Sequence, residues 1–121
     1  MVGSRSTTEA AGRALITDLR SLLGARLVAY LAETDTRTVR EWADGLSALP
    51  AGTLLDRLHV ALEAAQLLTK RDSPAVAQTW FQGRNPALGD HPPAKVLRST
   101  HPDRARVLIL DAAGHFTAHG T

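Results

Sequence analysis

Cysteine is absent from this 121-residue chain, which excludes a disulfide framework, a thiolate metal site and a cysteine nucleophile. The expected setting is a reducing cytoplasm. Aromatic residues make up 4% of the chain against 44% hydrophobic residues overall, so a core has to be built from Leu, Ala and Val, a palette that favours helix over strand. Alternating strand patterns are missing as well, and the expected fold class is all-α. Long apolar runs are also lacking. The longest, Val107-Leu108-Ile109-Leu110, falls far short of the roughly 20 residues that cross a bilayer, and "MVGSRSTTEA" has no apolar signal core. No membrane span is expected. Charge of one sign is not in large excess either: 14 Lys and Arg face 12 Asp and Glu, a net +2. Nucleic-acid binding must therefore be argued from pattern rather than from bulk charge.

Catalytic signatures are missing too. The five histidines, His59, His91, His101, His115 and His119, show no HExxH spacing, and there is no glycine-rich phosphate loop. No Ser or Thr sits in a nucleophile elbow, and the carboxylates are scattered. Neither an enzyme, a metal site nor a cofactor is expected. His115 and His119 are four apart, but they fall beyond Gly114 in a segment that reads as a tail.

Helical periodicity organises what remains. Residues 1–8 read as a flexible tail. From Glu9 to Leu23, Ala11, Leu15, Leu19, Leu22 and Leu23 recur on one helical face. A short helix over Ala25–Ala32 gathers Leu27, Val28 and Leu31, with Tyr30 at its edge. The next, Thr36–Asp44, has a cap in Asp35 or Thr36 and a stop in Gly45. A long helix from about Gly52 to Lys70 carries a broad stripe of Leu54, Leu55, Leu58, Ala61, Leu62, Ala65 and Leu68, wide enough for a dimer seam. Ser73 and Pro74 open another helix, which Gly83 closes. A loop rich in Pro and Gly leads to a short helix at Pro92–Arg98. The last helix runs from Pro102 to about Ala113, and "GHFTAHGT" is a tail anchored by Phe116. The expected parts are a helix-turn-helix bundle over 9–70 and a small helical domain over 71–121.

The stretch "TDTRTVREWADG" carries the functional signal. In a helix-turn-helix the second helix lies in the DNA major groove with its first turn facing base edges. Such a helix must hide a few apolar residues and keep a polar face from its amino end onward. Val39, Trp42 and Ala43 supply the hidden set, and Thr36, Arg37, Arg40, Glu41 and Asp44 face outward, with Thr38 near the edge. Arg37 and Arg40 lie one turn apart; each can bond guanine O6 and N7 or hold a phosphate. Thr36 and Thr38 can bond phosphate at the helix start, and Glu41 can accept from cytosine N4. One such helix buries too little DNA for selective binding, so a homodimer on an inverted-repeat operator is expected.

The segment "LLGARLVAYLAETDTRTVREWADG" resembles the helix-turn-helix of the Xre class of phage and bacterial regulators. The segments "AQTWFQGRNPALGDHPPAKVLRS" and "DRARVLILDAAGHF" resemble the carboxy-terminal domain of the MbcA/ParS/Xre antitoxin family, and related parts resemble actinobacterial phage immunity repressors. The resemblance implies a two-part, all-helical, oligomeric DNA-binding repressor. Its alternative is an antitoxin that neutralises a RES-domain, NAD-consuming toxin and represses its own operon. In that role Trp80, Phe81, the "NPALG" loop and the tail would meet the toxin, although Trp80 and Phe81 also read as plain core. Between residues 84 and 106 five cations, Arg84, Lys95, Arg98, Arg104 and Arg106, face only Asp90 and Asp103. These five are candidate phosphate contacts, which favours the repressor.

Overall fold

A computed structural model describes residues 2–120, with side chains from Thr8 onward. Among these residues the chain is all-helical, and its helices are α1 (Val2–Leu23), α2 (Ala25–Ala32), α3 (Thr36–Asp44), α4 (Thr53–Thr69), α5 (Pro74–Gln82), α6 (Pro93–Ser99) and α7 (Pro102–His119). A 3₁₀ turn, Pro86–Leu88, sits between α5 and α6. Of the tail expected over 1–8, Met1 lies outside the described residues and Val2 begins α1. On that helix Leu15, Ile16, Leu19 and Leu23 are buried, whereas Ala11 is exposed. The buried stripe thus begins one turn later than the apolar spacing suggested.

Local chemistry sets the helix ends. Ser73 Oγ accepts from the Val76 amide ahead of Pro74, so the proline occupies a helical position whose amide would be unpaired anyway. Asn85 Oδ1 accepts from the Ala87 amide at 3.0 Å and starts the 3₁₀ turn. His101 Nδ1 accepts from the Asp103 amide to open α7.

One hydrophobic core runs through both halves of the chain. The most extensive helix pairing is α4 on α7, and α1 packs on α3, α4 and α5. Leu58, Ala61, Ala65 and Leu68 of α4 are fully buried by these neighbours. The stripe expected to serve as a dimer seam is therefore largely consumed within the chain. Gln78 Nε2 donates to the Leu22 carbonyl at 3.2 Å, tying α5 to the end of α1.

The last helix corrects a second expectation. Gly114 does not end α7, which continues to His119 and closes at Gly120 in the left-handed conformation (φ 74°). Glycine inside a helix costs only about 1 kcal/mol relative to alanine, and tertiary contacts oppose that cost. Phe116 is half-buried against Trp80, with ring centroids 6.5 Å apart, and Arg71 donates to the Thr117 carbonyl at 2.8 Å. A Cβ at Gly114 would meet nothing within 4 Å. Gly114→Ala is therefore expected to raise stability by roughly 0.5–1 kcal/mol, read as a higher urea midpoint at constant slope.

Candidate nucleic-acid interface

The turn between α2 and α3 is built from main-chain geometry. Glu33 follows α2 in the left-handed conformation (φ 56°), with its amide on the Tyr30 carbonyl and the Thr34 amide on the Ala29 carbonyl. This closure is usually assigned to glycine, because a Cβ is crowded there. Asp35 then caps α3: its Oδ1 accepts from the Thr38 amide at 2.8 Å. At the far end Gly45 (φ 76°) lets its own amide reach Trp42 and the Leu46 amide reach Glu41. A Cβ at Gly45 would also come within 3.0 Å of Arg13 Cδ.

α3 divides as its spacing predicts. Val39 and Trp42 are buried and Ala43 is half-buried. Thr36, Arg37 and Arg40 are exposed, and Thr38 and Glu41 are partly exposed. Arg37 is 78% exposed and reaches Glu41 across one turn, Nε to Oε2 3.5 Å. Such an exposed pair is weak, about 0.3–0.5 kcal/mol, so Arg37 can exchange Glu41 for another acceptor at little cost. Arg40 forms no ion pair among the described residues.

The five cations between residues 84 and 106 do not form one set. Arg98 Nη2 pairs with Glu33 at 3.4 Å, and its guanidinium lies 4.5 Å from the centre of the Tyr30 ring. Arg106 pairs with Glu63. Both are engaged within the chain, because acids distant in sequence are brought beside them by the packing of α2 on α6 and of α4 on α7. Arg84, Lys95 and Arg104 are exposed and form no ion pair among the described residues. Lys95 does share a cleft with Arg26 and Tyr30 between α2 and α6, while Arg98, Arg26 and Thr36 line the adjoining one. α6 thus stands beside the amino end of α3. Trp80 and Phe81, offered as toxin contacts or as core, are both buried; their rings meet edge to face at 5.1 Å.

Arg57 is the residue that sequence reasoning passed over. Its Nη1 donates to the Leu31 carbonyl at 2.7 Å and to Glu33 Oε2 at 3.1 Å, and its Nη2 donates to the Arg98 carbonyl at 3.2 Å. One guanidinium therefore joins the end of α2, the turn before α3 and the end of α6. A signal for it exists: Arg57 lies in helical register with Ala61, Ala64 and Leu68, all fully buried.

Two carboxyls at the turn carry a pH dependence. Hydrogen bonding to Arg57, followed by the charges of Arg57 and Arg98, holds Glu33 below its ordinary value. The Thr38 amide, with a lesser push from Arg37, does the same for Asp35. A lowered carboxyl stabilises the fold above its unfolded-state value, and that contribution is lost as the pH falls through the folded value. The melting temperature of the protein is expected to drop on acidification below about pH 4. Asp35→Asn, which preserves the cap, is expected to flatten part of that drop with little effect at pH 7, measured by thermal melts from neutral to acid pH.

Among the described residues no three His, Cys, Asp or Glu side chains gather to hold a metal ion, and no helix is long and apolar enough to cross a membrane.

No family model and no curated protein matches the chain. Its fold is similar to that of a chain in the crystal structure of the M. tuberculosis MbcT-MbcA toxin-antitoxin complex. The TM-score is 0.64 and the identity 22%, and the match covers 84% of this chain and 93% of that one. At that identity the likeness establishes a shared fold.

Proposed function

We propose that the chain is a helix-turn-helix regulator of the antitoxin type. As a homodimer it reads an inverted-repeat operator with Arg37 and Arg40 of α3, and through its second half it occludes a RES-type toxin. The observation that supports this reading best is a fold similar, over 84% of the chain, to a chain of a toxin-antitoxin complex. Within that fold the exposed polar face of α3 is anchored by buried Val39 and Trp42. Thr36, Thr38 and Glu41 support the two arginines, and Arg84, Lys95 and Arg104 are the cations of the second half free to meet phosphate. The activity is binding, not catalysis.

A repressor without a toxin, of the phage immunity kind, is favoured by one specific observation. Arg84, Lys95 and Arg104 are exposed and form no ion pair among the described residues, so three cations of the second half are available to phosphate. Co-expression with a RES-type toxin separates the two readings. Relief of its toxicity and co-elution of the two chains is the result expected of an antitoxin. Continued toxicity with no co-elution, alongside retained operator binding, would replace the antitoxin reading with the repressor.

A further inference from the structure

The extension of α7 past Gly114 changes the status of two histidines that the sequence placed in a tail. Residues four apart on a helix stack on one face, and His115 and His119 do so. Their ring centroids are 4.6 Å apart, with the planes inclined at 45°. Metal–nitrogen bonds of about 2.0–2.1 Å place the centroids of two imidazoles on one ion roughly 4.5 Å apart at a right angle and roughly 5.2 Å apart at the tetrahedral angle. The observed ring separation lies at the near end of that range.

Three further features favour a cation there. Both histidines are exposed, and their preceding neighbours are small, Gly114 and Ala118, with open space around Gly114. Asp111 is exposed one turn before His115 and puts a negative charge on the same stripe. The site also lies at the carboxyl end of a helix, where the aligned peptide dipoles attract positive charge. The last turn is held in place, since the Gly120 amide reaches the Phe116 carbonyl and Arg71 reaches that of Thr117. Thr117 is on the opposite side of the helix from both histidines, so the guanidinium does not occupy their face.

We propose that His115 and His119 form a helix-borne two-nitrogen chelate for a borderline divalent transition cation of the Zn(II), Ni(II) or Cu(II) class, with its remaining coordination positions open. Imidazole donors select such ions over Mg(II) and Ca(II), which prefer oxygen. The site shares no residue with the polar face of α3.

The test is calorimetric titration of the full chain with zinc chloride, with magnesium chloride as control. One Zn(II) per chain is expected, with no uptake of Mg(II). His115→Gln and His119→Gln should each weaken Zn(II) binding by roughly tenfold or more, since even an outer-shell change at a metal site costs that much; His59→Gln and His101→Gln should leave it unchanged. In NMR spectra the imidazole signals of His115 and His119 should move together on addition of Zn(II). No heat up to roughly millimolar Zn(II), or binding that survives both substitutions, would overturn the proposal. Circular dichroism of each variant confirms that the helix is intact.

Discussion

Duplexes selected from a randomised pool at about physiological salt are expected to share a two-fold motif when bound by the wild-type chain, and to lose it when bound by the variant carrying Arg37→Ala and Arg40→Ala. Each lost bidentate base contact should cost roughly 1–3 kcal/mol and relax selection at its own base pair. The geometry that supports this expectation lies beneath the arginines as much as in them. Val39 and Trp42 are buried, so the helix cannot turn its polar face inward, and the Asp35 cap and the Gly45 closure fix both ends. Arg37 starts from a weak pair with Glu41, which makes Glu41→Ala informative beside the double variant. Removing the acid should strengthen binding to all sequences at low salt and blur selection. If the wild type selects no motif, or if the double variant selects the same one, α3 is not a reading helix. The two-fold character of the motif separately tests the homodimer.

α3 was legible to the residue because its information is local. A capping Asp, a stopping Gly and an i, i+3 pair of buried residues lie within a dozen positions, and no distant contact competes with them. α7 was legible only in part. Gly114 reads as a breaker, yet its cost is small and is opposed by Phe116 on Trp80 and by Arg71 on the Thr117 carbonyl, contacts that no local window contains. The candidate phosphate contacts show the same division. Arg98 and Arg106 look free in a sequence with few neighbouring acids, and they are engaged by Glu33 and Glu63, partners 65 and 43 positions away. Arg84, Lys95 and Arg104 remain exposed. Trp80 and Phe81 could be read from the sequence as core or as contact surface, and burial resolves them as core.

Arg57→Ala is expected to lower stability by about 2–4 kcal/mol, the range for breaking a part-buried hydrogen-bond network and losing the packing of its long stem. The side chain is only 13% exposed, and its removal strips donors from the carbonyls of Leu31 and Arg98 as well as from Glu33. The loss should fall short of the full sum of those bonds, because Arg57 Nε is buried without a hydrogen-bond partner in the native protein and that penalty disappears with the side chain. Arg57→Lys distinguishes charge from geometry. An ammonium keeps its attraction for Glu33 but lacks the planar fork that spans three acceptors, so it should recover part of the loss and leave one carbonyl unpaired. The damage should also be localised. Glu33 holds a left-handed backbone position that disfavours a side chain, and Arg57 is its main partner. In the Ala variant, amide exchange at Glu33–Asp35 and along α3 should therefore accelerate more than exchange in the distal turns of α7. Urea unfolding gives the magnitude and native-state exchange gives the location. A midpoint unchanged from wild type would mean that the halves are held by apolar packing alone; a uniform rise in exchange would mean that Arg57 supports the whole core, not the turn that aims α3.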